Sequence, residues 1–325
     1  MTYQPSLFTP AGADAKTPAY VFSDQMLVAI DVALAAQRPL LVTGNPGSGK
    51  TMLARAIAKG LNWRLIPRTI TSRTRLEDLE ADLDTLRRLG HAQLGPAIGL
   101  PPDWAYLRPG VFWWAFNRPS AHQRGAGAEE IEDMRKAGHP PLAPLKDPSE
   151  GNTGREDVVV LLDEIDKADP DLPNDLLEPL DRRRFSLQLI GRDAVEAIPG
   201  LQVMLVMTSN GERELPAAFL RRCVVLDLPD TRSESEDGIK PGEITLEMIA
   251  QSHFGASGKA LYRTVAADVV TLRKEAARRG ARPPSTAEYL DTVRALKQVP
   301  NLKGEEVWAQ VQSLLMLKPT SAARA

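Results

Sequence analysis

Short apolar runs alternate with longer stretches of helical spacing through the first two thirds of the chain. FSDQMLVAIDVALAA (22–36) carries apolar residues at helical intervals behind Ser23, a residue suited to cap a helix. PLLVTG (39–44) is an apolar run ending in glycine and predicts a buried strand, with a helix following from Lys50 to about Leu61. WRLIPRTIT (63–71) predicts a second strand, and RLEDLEADLDTLRRL a polar helix. VVVLLD (158–163) predicts a further buried strand, LPNDLLEPLD (172–181) a helix, LQVMLVMTSN (201–210) a strand running into a turn, and VVLDLP (224–229) a last strand. Strands alternating with helices predict a parallel α/β sheet.

After Pro229 the pattern changes. A charged linker with Gly and Pro (230–242) leads into four helical segments, at 244–254, 259–280, 285–299 and 304–317. The expected organisation is therefore an N-terminal strap over 1–21, an α/β domain over 22–229 and a small all-α domain over 230–325. Residues 117–157 stand apart, rich in Gly, Pro and charge and almost free of large apolar side chains. Such a stretch reads as a mobile insertion loop, because it offers little surface to bury. Just before it, six aromatics fall within thirteen positions, from Trp104 to Phe116. Aromatics of this density fill a core; the alternative is an exposed docking surface.

Composition narrows the classes. The 325 residues, 43% of them hydrophobic, suffice for a real core. With 40 basic and 42 acidic residues the net charge is −2, so no global basic bias advertises nucleic acid. The one cysteine, Cys223, excludes an internal disulfide framework and is compatible with a cytoplasmic location. The N-terminus has no basic start or apolar core of a signal peptide, and no apolar run is long enough to span a membrane. The four histidines are scattered, without metal-binding spacing.

The strongest chemical signal is Gly44-Asn45-Pro46-Gly47-Ser48-Gly49-Lys50-Thr51, which fits G-x-x-x-x-G-K-[ST] between an apolar strand and a helix. Glycines there let backbone N–H groups wrap phosphates, and the helix N-terminus favours their charge. Lys50 is expected to reach the β and γ phosphates of ATP, and Thr51 to ligate Mg²⁺. The second signal is the Asp163-Glu164 pair at the end of an apolar strand. Asp163 is expected to hold Mg²⁺ and Glu164 to polarise the attacking water as general base.

With these motifs the chain resembles the AAA+ ATPases over about residues 22–299, and within them the MoxR and dynein-related branch, through LLDEIDKADPDLPNDLLEPLDRRRFSL and VMLVMTSNGERELPAAFLRRC. The resemblance implies a P-loop NTPase fold: a parallel sheet with helices on both faces, followed by a small all-α lid. It implies that Asn210 is the sensor 1 residue orienting the lytic water. Arg222, with Arg221 as its rival, is then the arginine finger acting on ATP in a neighbouring subunit. It further implies a homo-oligomeric ring, expected to be hexameric. The ring would remodel or assemble a protein partner, with von Willebrand factor A-domain proteins as the expected partner class. A nucleic-acid-linked NTPase motor of the McrB type and a nucleotide-dependent scaffold are the alternatives. Two departures from the family pattern stand out. Lys50 and Asp163 lie 113 positions apart, a long separation. At the sensor 2 helix, RPPSTAEYLDTVRAL has Thr286 and Ala287 where relatives carry an arginine, with Arg282 nearby but displaced.

Overall fold

The computed structural model describes residues 3–12, 19–93, 99–139, 142–187, 190–240, 243–299, 302 and 305–316. The strap expected at 1–21 and the linker expected at 230–242 are therefore described only in part, and residues 317–325 lie outside. In chain order, helix α1 (Asp24–Ala36) leads to strand β1 (Leu40–Gly44), helix α2 (Lys50–Leu61) and strand β2 (Arg64–Thr69). Helix α3 (Leu76–Glu80), strand β3 (Ala81–Leu83), helix α4 (Thr85–Gln93), strand β4 (Leu107–Pro109) and helix α5 (Val111–Phe116) follow. Next come helices α6 (Arg118–His122) and α7 (Ala128–Lys136), then strands β5 (Glu150–Gly151) and β6 (Val158–Asp163). Helices α8 (Leu172–Asp175) and α9 (Leu177–Arg182) precede a β7 (Arg184–Leu187) and β8 (Arg192–Glu196) hairpin. Strand β9 (Val203–Ser209), helix α10 (Ala217–Leu220) and strand β10 (Val224–Leu228) complete the α/β part. Helices α11 (Leu246–Phe254), α12 (Lys259–Arg279), α13 (Thr286–Gln298) and α14 (Glu305–Leu315) form the helical part.

The main sheet has the order β10-β1-β9-β6-β2-β5. Its first five strands are parallel, and β5 pairs antiparallel along the outer edge of β2. Strand alternation divides the sheet residues between two cores. Leu41, Ile66, Val160, Leu162 and Met207 face one side, where the aromatics from Trp104 to Phe116 and helices α8 and α9 pack. Leu40, Val42, Val159, Leu161 and Val206 face the other, covered by α1, α2 and the N-terminal segment. The six aromatics of 104–116 are thus core, at 5% exposure or less.

The N-terminal segment is held by more than apolar contact. The buried Asp31 carboxylate on α1 accepts hydrogen bonds from the Tyr3 hydroxyl and from the backbone N–H groups of Ser6, Leu7 and Phe8. These bonds set Phe8 against Phe22 and beneath Gly60, where a Cβ would come within 2.4 Å of the Phe8 ring.

Three expectations are corrected. The stretch 117–157 is not a structureless loop. It carries α6, α7 and β5, with Ala121, Ala126 and Met134 buried against the aromatic core. Its packing relies on small apolar side chains and on satisfied arginines, which a scan for large hydrophobics misses. Arg64, fully buried, donates to the Trp114, Ala115 and Glu156 carbonyls and to the Ser149 hydroxyl. Arg118 pairs with Asp147 at 2.6 Å, and the buried Arg124 donates to the Ala143 carbonyl.

The polar helix expected from Arg75 to Leu89 is interrupted by β3. That strand pairs antiparallel with β4, so the chain makes an excursion over 81–110 and returns beside α3. Gly110 makes the return possible: a Cβ there would sit 2.3 Å from the Leu79 backbone, and its N–H donates to the Glu80 carbonyl. The helix expected over 172–181 is two short ones, because Pro179 has no N–H to offer the Asp175 carbonyl.

Glu80, at the end of α3, is half-buried. Burial, reinforced by Glu77 and Glu178, pushes its carboxyl up to about 7 from 4.5. A carboxyl raised on folding contributes its full stability below the unfolded value and loses it as pH rises through the folded value. Glu80→Gln is therefore expected to be more stable than wild type at pH 8, by about 1–2 kcal/mol after discounting for partial exposure. At pH 4.5 the two should be nearly equal. Denaturant midpoints at both pH values check this; the same shift at both would assign the effect to packing instead of charge.

Candidate functional site

The strands β1, β6 and β9 end at one edge of the sheet, and their C-terminal residues converge on a cleft of about 1120 Å³ between the sheet and the helical part. That volume admits a nucleotide-sized ligand. The eight residues from Gly44 to Thr51 run from the last residue of β1 through a tight turn into the first two residues of α2. Gly44 and Gly47 have φ of +142° and +83°, in the region that favours glycine. A Cβ on Gly44 would meet the Leu228 carbonyl at 2.4 Å, and one on Gly47 would meet the Ser285 hydroxyl at 2.5 Å. The loop is thus wedged between β10 and the start of α13, with a further hydrogen bond from the Ala287 N–H to the Gly47 carbonyl.

Lys50 is the first residue of α2 and is 6% exposed. Its Nζ donates to the Gly44 and Asn45 carbonyls at 2.7 and 2.9 Å. Burial lowers its pKa, opposed by the charges of Asp166, Asp163, Glu164 and Asp227. Thr51 donates to both oxygens of Asp163, at 3.0 and 3.1 Å. The two motifs, 112 positions apart at these residues, therefore meet in one hydrogen bond.

Glu164 follows Asp163 in a left-handed conformation, φ 62° and ψ 50°. A non-glycine residue held there costs about 1 kcal/mol or more and signals an over-determined position. Its N–H donates to the Thr208 hydroxyl at 2.9 Å, and that hydroxyl donates to Asp163 at 2.6 Å. The Glu164 carboxylate accepts from Asn210 Nδ2 at 3.2 Å and from Lys167 Nζ at 2.8 Å. The pairing raises the Lys167 pKa. Asp166, 2% exposed, accepts from the N–H groups of Asn210 and Glu212 and so fixes the turn after β9.

The structure thus brings Lys50, Thr51, Asp163, Glu164 and Asn210 together. Arg221 and Arg222 are absent from the described lining of the cleft. Arg222 is exposed on the turn after α10, where it pairs with Asp181 at 3.4 Å, and the Arg221 carbonyl accepts from Arg38. Thr286 and Ala287 do line the cleft, while Arg282 pairs with Glu288 at 3.4 Å instead. Sequence reasoning missed Thr208, Asp166 and Lys167. Thr208 was findable from parallel pairing, since β9 runs beside β6 and its hydroxyl residue falls at the level of Asp163. Apolar side chains also line the cleft, among them Met26, Met52, Ile249 and Leu290, together with Tyr20 and a half-buried His253. Burial, then Arg294, lowers the His253 pKa, disfavouring the charged ring.

Thr51, Asp163 and Thr208 bring oxygen donors to the point where the two motifs meet, a set suited to a hard divalent cation.

A glycine-rich turn entering a helix, a lysine at its head and a strand-end carboxylate bonded to its threonine define a P-loop nucleoside triphosphatase. The description "ATPase family associated with various cellular activities (AAA)" matches residues 40–228, over half of the chain. The chain belongs to this AAA family and is an ATPase. Among solved structures it is similar to the RuvB Holliday junction branch migration motor of Thermotoga maritima. The identity is 12% over 90% of this chain and 67% of that one, with a TM-score of 0.40. A variant of the same protein aligns with 12% identity over the same shares and a TM-score of 0.41. No curated protein matches. No helix among the described residues is long and apolar enough to cross a membrane.

Thr208 bonds both residues of the acidic pair, so Thr208→Val should leave the Glu164 N–H without its acceptor and cost about 1–3 kcal/mol. Thr208→Ser should cost much less. Denaturant unfolding of both variants checks this, and equal losses would show that the methyl group matters more than the hydroxyl.

Proposed function

We propose that the chain works as an oligomeric AAA+ ring, expected to be hexameric, that uses Mg²⁺-dependent ATP hydrolysis to remodel or assemble a protein partner. The observation that carries the hydrolytic part is the junction of Thr51, Asp163, Glu164 and Asn210 in one hydrogen-bonded set. The Gly44–Thr51 turn cradles the phosphates, and Lys50 exchanges its loop carbonyls for phosphate oxygens. Thr51 and Asp163 would hold Mg²⁺, which would neutralise charge on the phosphates. Glu164 takes a proton from the attacking water as its oxygen bonds the γ-phosphorus. The bond to the bridging oxygen breaks, giving ADP and inorganic phosphate, and the proton passes to solvent. Asn210 orients the same water and holds Glu164.

Assembly rests on Arg222. It is exposed and outside the cleft of its own chain, as a residue acting on a neighbour's ATP must be. Head-to-tail contacts of this kind close into rings. The protein-remodelling role, and von Willebrand factor A-domain proteins as partners, are supported by the resemblance of 161–187 and 203–223 to the MoxR branch. Stimulation of phosphate release by a protein partner, and not by DNA, is the result that fits; the reverse would favour a nucleic-acid motor.

Lys50→Ala is expected to abolish ATP binding, since the phosphates lose their cation. Glu164→Gln should bind ATP normally and stop turnover. Nucleotide titration beside phosphate release separates the two, and wild-type hydrolysis by Glu164→Gln would remove Glu164 from the role of base.

Arg222→Ala should keep ATP binding and lose most activity, since arginine fingers are worth about 10³–10⁵ in rate. Mixing it with Lys50→Ala subunits should restore part of the activity, because an intact finger then meets an intact pocket. Failure of rescue across mixing ratios, with assembly verified by light scattering, would count against action between subunits.

A further inference from the structure

The start of α13 meets the phosphate loop through backbone, and an arginine outside the cleft sets where they meet. The Ala287 N–H donates to the Gly47 carbonyl at 3.3 Å, while the Ser48 N–H, across the same peptide bond, donates to the Asn45 carbonyl at 3.2 Å. A trans peptide holds its C=O and N–H in opposite directions. The Asn45 carbonyl also accepts from Lys50 Nζ, so it faces the inside of the loop. Pinning the Gly47 carbonyl to α13 therefore turns the Ser48 N–H inward, the side from which backbone donors reach a phosphate. Arg273, on α12, is not among the described residues that line the cleft. Its Nε donates to the Pro284 carbonyl at 2.8 Å, just ahead of α13, and its Nη1 to the Thr231 carbonyl in the connection from β10. One planar guanidinium thus joins the chain leaving the sheet to the chain entering α13. Its Nη2 is buried without an acceptor among the described residues. A buried donor left unpaired costs stability, so packing alone does not account for an arginine at this position.

We propose that Arg273 is a positioning residue for nucleotide binding: by joining the Thr231 and Pro284 carbonyls it holds Ala287 on the Gly47 carbonyl and keeps the Ser48 N–H aimed at a bound phosphate. This rests on the reading of Gly44–Thr51 as the phosphate-binding turn. Arg273 touches no ligand and acts through backbone. Its rigid fork fixes the spacing of the two carbonyls, which a lysine ammonium on a flexible stem does not. The charges of Asp230, Glu236 and Glu288 favour the guanidinium in its charged form. A second, uncharged tie runs between the same two segments, from the Thr286 hydroxyl to the Thr231 hydroxyl at 3.2 Å. Ser285 presses on the loop from the same side, where a Cβ on Gly47 would come within 2.5 Å of its hydroxyl. A small displacement of α13 is therefore felt at Gly47. With Thr286 and Ala287 at the positions where the resemblance leads to an arginine, the helical part acts on nucleotide by holding the loop, not by reaching a phosphate with a side chain.

The test is ATP binding and steady-state phosphate release by the full chain, with Arg273→Met and Arg273→Lys compared with wild type. Arg273→Met should raise the Kd and KM for ATP about three- to tenfold, the size of a lost charge-assisted hydrogen bond, and leave kcat within about twofold. Arg273→Lys should fall between the two. Hydrogen exchange of the peptide carrying Ala287 should quicken in Arg273→Met, with α11 and the rest of α12 unchanged. A role confined to the helical core would lower kcat through loss of folded enzyme and leave KM as it was. That result, or a Kd and KM unchanged in Arg273→Met, overturns the proposal. Where Arg273→Met does not fold, Thr231→Val removes the hydroxyl tie alone. A smaller rise in KM with faster exchange at Ala287 then supports the proposal, and wild-type values of both overturn it. If Lys50→Ala binds ATP as wild type does, the reading of the turn has failed and the role of Arg273 falls with it. If Lys50→Ala does not bind ATP and Arg273→Met binds it normally, the role of Arg273 alone has failed.

Discussion

The candidate site depends on one hydroxyl–carboxylate junction, in which Thr51 and Thr208 both donate to Asp163. Each of the three residues sits on a different element: Thr51 on α2, Asp163 at the end of β6, Thr208 near the end of β9. The junction forms only if β1, β9 and β6 lie side by side in parallel register and end at the same level. Two apolar layers hold the strands in that register, each fed by alternate residues of the same strands. The cores fix the junction to the accuracy of a hydrogen bond, and the Glu164 N–H then closes on Thr208. A left-handed glutamate would be strained in isolation; here the anchors on both sides of it, Asp163 and Asp166, leave it no other path.

What the sequence revealed follows from how local each signal is. Helices α1 and α2, the P-loop and strand β6 were legible because each is coded by a contiguous pattern: capping at Ser23, Gly-rich spacing from Gly44 to Lys50, five apolar residues before Asp163. The excursion over 81–110 was not, since the break at Ala81 is dictated by β4 some 26 residues away, through backbone pairing that leaves no period in the sequence. Residues 117–157 misled for a different reason. Their order comes from Arg64, Arg118 and Arg124 satisfying backbone carbonyls, and a charged residue is read as a solvated one when its partners are unknown. The site was legible in proportion to motif strength. Thr208, Asp166 and Lys167 have ordinary identities and gain meaning only from the neighbours that the fold supplies.

The helical part bears on the site through backbone more than through charge. At the start of α13, Ser285 approaches the loop so closely that Gly47 has no room for a Cβ. The Ala287 N–H bonds the Gly47 carbonyl, and Thr286 reaches Thr231 in the connection from β10. Arg273 braces the same region, donating to the Thr231 and Pro284 carbonyls. The start of α13 and the segment after β10 are thereby tied together at the rim of the cleft. A change in the phosphate loop at Gly47 is transmitted to the helical part by direct contact, without a long side chain that must find its ligand.

On the reading proposed above, every charged group that acts on ATP is already paired within the subunit. Lys50 bonds the carbonyls of its own loop, Glu164 is held by Lys167 and Asn210, and Arg222 rests against Asp181. These pairings keep the site preorganised, since no side chain must be recruited from solvent when nucleotide arrives. They differ in how readily they give way. The Lys50 bonds are buried and break only for an acceptor at least as good as two carbonyls, which a phosphate is. The Glu164–Lys167 and Arg222–Asp181 pairs are partly exposed, so each is weak and exchanges easily for a partner from a second chain. The strong pairing thus lies where ATP binds and the weak ones where hydrolysis is controlled. That division would suit the proposed ring, in which each subunit holds nucleotide and the chemical step waits on contacts from a neighbour.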